Sequence, residues 1–206
     1  MQEEGMADKW HLLRDGTFEI DGGLLVYGVQ KYYGKKHTAH LKPLYVEAGD
    51  ERILIDTGIG DPPERYAAAY KVTKETDLMG SLKGIGLSVE DITMVINTHL
   101  HFDHTGFNTS FPNAKFLSQV DEIRYSRYPD RFQKGAYLQD NIRDLDFCGI
   151  HGECEVAPGV SVIPTPGHTP GHQSVIVELQ DEVLIYTGDV SPLRLNLEKD
   201  LIVGVL

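Results

Sequence analysis

Residues 98–106 read Thr-His-Leu-His-Phe-Asp-His-Thr-Gly, which places three histidines and one aspartate within six positions. Imidazole nitrogen and carboxylate oxygen are the ligands that zinc takes in catalytic sites. His99 and His101 are two residues apart, so in an extended segment both side chains point to one side, and Asp103 continues that side. A turn would direct the adjacent His104 to a second point. This stretch therefore predicts a metal site that can hold two ions.

An apolar segment precedes these histidines. Residues 93–97 read Thr-Met-Val-Ile-Asn, which predicts a buried strand that ends where the histidines begin. A lone histidine is more often a surface or core side chain than a metal ligand. Three histidines with an interleaved aspartate, directly after a buried strand, favour metal binding over that alternative.

Two later segments supply further ligand types. Residues 165–172 read Thr-Pro-Gly-His-Thr-Pro-Gly-His and follow a predicted strand. Their glycines and prolines predict a rigid turn, which suits a ligand such as His168 that must keep one orientation. Residues 186–189 read Tyr-Thr-Gly-Asp and follow another predicted strand. The carboxylate of Asp189 has two oxygens and could therefore bridge two cations.

Taken together, these segments resemble the metallo-β-lactamase superfamily, whose first motif is similar to Asp56-Thr57-Gly58. The resemblance extends over residues 17–191 and implies an α/β fold, a four-layer αββα sandwich. It implies a first metal ion on His99, His101 and His168, and a second on Asp103 and His104, with Asp189 bridging the two. It also implies that Asp56 steadies the histidine loop. His172 is outside this ligand set, and we expect a structural hydrogen-bonding role for it.

The His-x-His spacing of this branch indicates hydrolysis, whereas a glutamate at position 101 would resemble the di-iron redox branch. We therefore expect two divalent metal ions, with zinc favoured by the neutral imidazoles and manganese or iron as alternatives. The expected reaction is attack of an activated water on an acyl carbon. Asp103 is the expected catalytic residue, because its free oxygen could carry a proton to the leaving group.

Two segments bear on the substrate. Residues 21–31 are similar to the N-terminal signature of the lactonase and organophosphate-hydrolase branch, and residues 164–174 to the acyl-homoserine-lactonase pattern of quorum-quenching enzymes. The resemblance implies opening of a lactone ring, with a small-molecule ester or lactone as substrate. Some of those lactonases have a tyrosine where this chain has Pro192. The alternatives are a thioester or phosphotriester hydrolase of the same fold, or a catalytically weak metal-binding protein.

Composition excludes several other classes of function. The chain has 19 basic and 31 acidic residues, a net charge of −12, and no basic face is predicted that could bind nucleic acid. No apolar run approaches the roughly 18 residues that cross a bilayer, so no membrane association is expected. The first residues, Met1 to Gly5, are polar and acidic, unlike a signal peptide, and a cytoplasmic location is expected.

A length of 206 residues suits one sizeable domain, which we place at residues 16–206 after an N-terminal segment of residues 1–15. Residues 17–28 predict an opening pair of strands turned at residues 21–23. Further strands are predicted at residues 40–48, 52–57, 93–97, 114–118, 160–164, 174–179 and 183–186. Helices are predicted at residues 64–71, 76–85 and 119–128, and residues 129–155 are predicted to be irregular.

The C-terminal part departs from the family pattern. The last metal ligand of the family is a histidine near the C-terminus, but no histidine follows His172, and 17 residues follow Asp189 (206 − 189). The sequence therefore predicts an incomplete C-terminal part. Three explanations stay open: a fragment of a longer protein, completion by a C-terminal segment or by a second subunit in a homo-oligomer, and a short form with one metal ion.

Overall fold

The structure, a computed structural model, describes residues 5–203. Its twelve strands are β1 Lys9–Leu12, β2 Thr17–Asp21, β3 Lys36–His40, β4 Leu44–Ala48, β5 Glu51–Ile55, β6 Met94–Ile96, β7 Lys115–Gln119, β8 Phe147–Ile150, β9 Cys154–Ala157, β10 Val160–Pro164, β11 Gln173–Glu178 and β12 Val183–Tyr186. Its five α-helices are α1 Gly22–Leu25, α2 Glu64–Ala69, α3 Leu78–Gly84, α4 Val120–Arg127 and α5 Arg194–Lys199. None of these helices is long and apolar enough to cross a membrane.

Two sheets form the centre of the fold. The first has six strands in the order β1-β4-β5-β6-β7-β8, and the second has four in the order β12-β11-β10-β9. Strands β5 to β8 pair in parallel, whereas all pairs of the second sheet are antiparallel. Parallel strands need long crossover connections, and these connections carry helices α3 and α4.

Side chains of the first sheet alternate between two cores. Ile53 and Ile55 of β5 face the second sheet, where they pack near Val162 and Val175. Leu54, between them, faces the other way and packs with Leu78 and other apolar residues around α3. A strand that is buried on both faces has to be apolar at every position, and this explains the continuous Ile-Leu-Ile run.

The predicted elements mostly agree with the structure, but the strand prediction was wrong or incomplete in several places. Residues 24–28 are not the partner of β2, because β2 pairs with β3 instead and α1 follows it directly. Asp21 causes this difference: its Oδ1 accepts hydrogen bonds from the N–H groups of Gly23 and Gly34 and ends the strand. The prediction also missed β3, and it described residues 129–155 as irregular although they contain β8 and the start of β9.

The segment predicted to precede the domain contributes to it. Lys9–Leu12 is the edge strand of the first sheet and pairs with β4. Asp15 is fully buried, and its carboxylate accepts hydrogen bonds from the N–H groups of Ile59, Gly60 and Leu78. Residues of the N-terminal segment therefore hold the loop that follows β5. The predicted domain boundary and the predicted C-terminal incompleteness stay predictions.

The histidine stretch lies directly against the loop after β5. The N–H of Gly106 donates to the carbonyl of Gly58, and the N–H of Thr57 donates to the carbonyl of His104. A Cβ on Gly106 would be 2.0 Å from the carbonyl carbon of Ile59 and 2.1 Å from the nitrogen of Gly60. Only glycine permits this contact between two backbones.

Replacing Gly106 by alanine should therefore lower the free energy of unfolding by about 1–3 kcal/mol, because the two loops must separate. Urea denaturation of the metal-free protein measures this change. Gly84→Ala is the matched control: its Cβ would meet nothing within 4 Å, and the change should be neutral or stabilising by up to about 1 kcal/mol. Equal stability of the two variants would contradict the close backbone contact.

Candidate metal centre

Three loops bring the predicted site residues together. The loop after β6 carries four of them, the loop between β10 and β11 carries one, and the segment after β12 carries the last. In the same order they are His99, His101, Asp103 and His104, then His168, then Asp189. Because β6 belongs to the first sheet and β10 to β12 to the second, both sheets contribute to one site.

Potential ligand atoms form two groups that share His99. The first contains His99, His101 and His168, and the second contains His99, His104 and Asp189; within each group the ligand atoms lie within 4.8 Å of one another. Asp189 lies between the groups, with Oδ1 3.2 Å from His104 Nε2 and Oδ2 3.5 Å from His168 Nε2. Asp103 lies beside the second group, its Oδ2 3.7 Å from His104 Nε2. All six predicted residues are thus brought together.

Several buried polar atoms of these residues make no hydrogen bond within residues 5–203. They are Nε2 of His99, Nε2 of His101, Nδ1 of His168 and Oδ1 of Asp103. A buried polar atom without a partner costs about 1–3 kcal/mol, and folded proteins rarely tolerate several in one place. The nitrogens that face each other across the first group are His101 Nδ1 and His168 Nε2, 3.0 Å apart, and Asp189 Oδ2 is 3.5 Å from the same His168 nitrogen. Nitrogen and oxygen atoms this close together fit a divalent cation such as zinc. The donor set is therefore a candidate metal centre.

The protonation states of the histidines also favour metal binding. Burial, with the neighbouring imidazoles, holds the pKa of His99 and of His101 well below the ordinary value. Both rings are therefore neutral at pH 7, the form that binds a metal ion. Burial likewise raises the pKa of the Asp103 carboxyl. Burial opposes the charged ring of His104, but adjacent carboxylates, Asp189 first among them, raise its pKa well above the ordinary value.

Asp56 orients His104, in agreement with the role that the sequence suggests for it. Its Oδ2 accepts hydrogen bonds from His104 Nδ1 at 2.7 Å and Thr98 Oγ1 at 2.8 Å, and its Oδ1 accepts one from the N–H of Thr98 at 2.8 Å. With Nδ1 bound, the ring presents Nε2 to Asp189. Asp56 has a φ of 59°, in the left-handed region that asparagine and aspartate tolerate better than most residues.

Sequence reasoning missed the polar residues behind the histidine loop. The amide nitrogen of Asn97 donates to the carbonyl of His104 at 3.2 Å, and the amide nitrogen of Asn108 donates to Asn97 Oδ1 at 2.9 Å. Thr57 Oγ1 donates to Asn108 Oδ1 at 2.8 Å. All three side chains are fully buried. The one available signal was Asn97 itself, a polar residue at the end of a strand that is otherwise apolar.

His172 has the structural role expected for it. Its Nε2 accepts a hydrogen bond from the N–H of Asp189 at 3.1 Å, and its Nδ1 is 2.9 Å from Thr165 Oγ1. Because Nε2 is an acceptor, Nδ1 carries the proton of the neutral ring. Burial lowers the pKa of His172 to about 3, so the ring stays neutral near pH 7. The ring thus fixes the backbone of Asp189.

A cavity of about 430 Å³ opens beside the second group of ligand atoms. Its polar lining includes Asp103, His104 and Asp189, together with His37, His40 and Lys42. Its apolar lining includes Phe18, Ile20, Leu25 and Leu193. A small molecule with a polar head and an apolar tail fits this arrangement.

Comparison with known proteins identifies the family. The family model of the metallo-beta-lactamase superfamily matches residues 44–205. The chain belongs to this superfamily. It is 32% identical over 168 residues to an N-acyl homoserine lactonase of a Bacillus species, and 31% identical over 168 residues to the N-acyl homoserine lactonase AiiA of Bacillus thuringiensis subsp. kurstaki. Both alignments cover 76% of this chain and 66% of the relative, so the chain spans just under two thirds of those proteins' length.

Solved structures agree with this assignment. The crystal structure of a quorum-quenching N-acyl homoserine lactone hydrolase has a TM-score of 0.84 and 26% identity, covering 98% of this chain and 82% of that one. A related hydrolase with N-hexanoyl-L-homoserine bound at its catalytic metal centre has a TM-score of 0.83 and 26% identity, covering 98% and 83%. The predicted metallo-β-lactamase fold and the similarity to the acyl-homoserine-lactonase branch are thereby confirmed.

The lowered pKa of His172 makes its contribution to stability depend on pH. An unfolded histidine titrates near 6.5, so below about pH 6.5 the unfolded chain binds a proton that the folded chain does not. Stabilisation by His172 is therefore complete above about pH 6.5 and is lost as the pH falls toward 3. The wild-type free energy of unfolding minus that of His172→Gln should shrink by up to about 2 kcal/mol between pH 7 and pH 5.

Urea denaturation of the metal-free proteins at both pH values checks this difference. His11→Gln, on the exposed edge strand β1, is the matched control, and its difference from wild type should not change in the same way. A wild-type minus His172→Gln difference that is constant from pH 7 to pH 5 would show that the ring is not held neutral.

Proposed function

We propose that the chain is a metal-dependent hydrolase that opens the lactone ring of N-acyl homoserine lactones. The observation that carries the proposal is the convergence of six ligand-type side chains: five form two groups with ligand atoms within 4.8 Å of one another, and Asp103 lies 3.7 Å from His104. The relatives named above, which are N-acyl homoserine lactonases, support the substrate class.

We propose two divalent metal ions, with zinc preferred because the imidazoles of His99 and His101 are neutral. His99, His101 and His168 would hold the first ion, and Asp103 and His104 the second, with Asp189 shared through its two oxygens. When bound, such ions lower the pKa of a water molecule toward about 7 and polarise a carbonyl oxygen.

Asp103 is proposed as the catalytic residue. Its Oδ1 has no hydrogen-bond partner within residues 5–203, and the side chain lines the cavity. In lactone hydrolysis a water oxygen bonds to the carbonyl carbon, the bond from that carbon to the ring oxygen breaks, and the ring oxygen takes up a proton. Because Asp103 Oδ1 is unpartnered among the described residues and the side chain lines the cavity, this carboxylate can accept the proton of the water and pass it to the ring oxygen.

The apolar side of the cavity suits an acyl chain. Phe18, Ile20 and Leu25 line the same cavity as Asp103 and His104. Phe102 has a different place: it is 2% exposed and packs against the rings of Tyr66 and Tyr70 at 5.1 and 5.4 Å between centroids. We therefore assign acyl-chain contact to the cavity lining and a packing role to Phe102. The expected cytoplasmic location and the homo-oligomer or completing segment stay proposals that rest on the sequence.

Assays of the zinc-loaded protein test the proposed reaction. We expect turnover of N-acyl homoserine lactones that is lost on treatment with a chelator and returns with zinc. Thioesters and phosphotriesters are assayed in parallel, and turnover of one of these alone would replace the substrate proposal. Full metal content without turnover of any substrate would favour the catalytically weak metal-binding protein.

Asp103→Ala tests the assigned catalytic residue. Its kcat for lactone should fall by ~10²–10⁴-fold, because the proton relay is lost, and metal content should fall as well. Asp61→Ala, which removes a carboxylate that is 90% exposed, is the control and should match wild type. Near-normal turnover by Asp103→Ala would exclude Asp103 from the mechanism.

A further inference from the structure

A buried carboxylate lies behind the metal centre and has no part in the proposed chemistry. Glu122 on α4 is fully buried, and within residues 5–203 no lysine, arginine or histidine forms an ion pair with it. An isolated carboxylate is costly to bury, so other polar groups must compensate for the lost water. Those groups show what the residue holds in place.

Three neutral donors surround the Glu122 carboxylate. Its Oε1 accepts hydrogen bonds from the N–H of Leu100 at 2.9 Å and from the hydroxyl of Tyr137 at 3.0 Å. Its Oε2 accepts one from the hydroxyl of Thr169 at 2.6 Å. Burial raises the pKa of Glu122, and these three hydrogen bonds oppose that effect.

Each donor is next to a predicted metal ligand. Leu100 separates His99 from His101, and Thr169 directly follows His168. The ring of Tyr137 is edge-on to the ring of His101, with 4.7 Å between their centroids. One carboxylate therefore connects the two loops that carry the first ligand group.

The second loop lies directly on the start of α4. A Cβ on Gly171 would be 2.0 Å from the backbone nitrogen of Glu122 and 2.5 Å from its Cα. The amide nitrogen of Gln133 also donates to the carbonyl of His168 at 2.9 Å. The 165–172 loop thus has little freedom to move relative to Glu122, so a shift of the Glu122 carboxylate is transmitted to His168.

We propose that Glu122 is a positioning residue that sets the separation of His101 and His168 and so determines the metal affinity of the first ligand group. The second group shares His99 with the first but has a support of its own, because Asp56 binds His104 directly. The inference rests on the proposed metal centre, and it does not depend on lactones being the substrate.

Glu122→Gln is the informative substitution. The substitution keeps the size of the side chain but replaces one carboxylate oxygen by an NH₂ group. That NH₂ group then faces an N–H or O–H donor and cannot accept its hydrogen bond. The loops then separate or lose hydrogen bonds, and we expect the affinity of one of the two metal steps to fall by ~10–100-fold. Asp121→Asn is the matched control, because Asp121 is the adjacent, exposed carboxylate of the same helix.

Metal affinity is measured directly, without turnover. Chelator-stripped protein is titrated with Zn²⁺ in competition with a chromophoric chelator, and with Co²⁺ followed by its visible absorption, which reports ligand geometry. Glu122→Gln should weaken one binding step and alter the Co²⁺ spectrum of that step, whereas Asp121→Asn should match wild type. Circular dichroism establishes that each variant is folded.

Milder variants keep the proposal testable if Glu122→Gln does not fold. Tyr137→Phe and Thr169→Val each remove one donor and should weaken the same step by about fivefold, the equivalent of one hydrogen bond. Unchanged affinity and spectrum in the folded Glu122→Gln variant, or in both single-donor variants, would overturn the proposal. A wild-type chain that binds no metal would overturn it together with the proposed function, whereas a chain that binds metal without opening lactones would overturn only the substrate.

Discussion

Four imidazoles and two carboxylates lie together at a point that is largely closed to water, and much of the surrounding chain serves to keep them there. Burying polar atoms without hydrogen-bond partners lowers the stability of the fold, and the burial of apolar residues elsewhere has to offset this loss. Three of the residues that support the site do so in the same way: each has a buried carboxylate that accepts several hydrogen bonds at once. Asp15 does this for the loop after β5, Asp56 for the histidine loop, and Glu122 for the loops behind it. Three buried carboxylates outside the ligand set thus support the histidine loop and the loops packed against it.

The two ligand groups differ in their electrostatics. His99 and His101 are surrounded mainly by other neutral rings, and burial keeps them neutral. His104 instead lies among carboxylates, and its ring is paired on both nitrogens, with Asp56 on one side and Asp189 on the other. Without metal, His104 and Asp189 form an ion pair, which also lowers the pKa of Asp189. The second group thus contains charges of both signs, whereas His99 and His101 of the first group are uncharged.

Sequence reasoning found the parts of the molecule whose signal is local. The His-x-His spacing, the apolar run of β5 and the Pro-Gly turn around His168 each act within a few residues, and the structure has them where they were expected. The predicted partner of β2 was wrong because Asp21 ends that strand by accepting hydrogen bonds from the N–H groups of Gly23 and Gly34. The strand propensities of the residues do not reveal such hydrogen bonds. Asn97, Asn108 and Glu122 were missed for a different reason. Their roles depend on contacts between segments far apart in the chain, and no short pattern distinguishes a buried glutamate from one on a helix surface.

The division of ligands between the two sheets has a consequence for biosynthesis. His99 and Asp189 are 90 residues apart (189 − 99), and the strands that deliver them belong to different sheets. During translation the histidine loop leaves the ribosome well before β10 to β12 exist, so a nascent chain has only part of its coordination sphere. Tight capture of a cation must then wait until the second sheet docks on the first. On the proposed ligand assignment, the full set of ligands exists only once both sheets are docked.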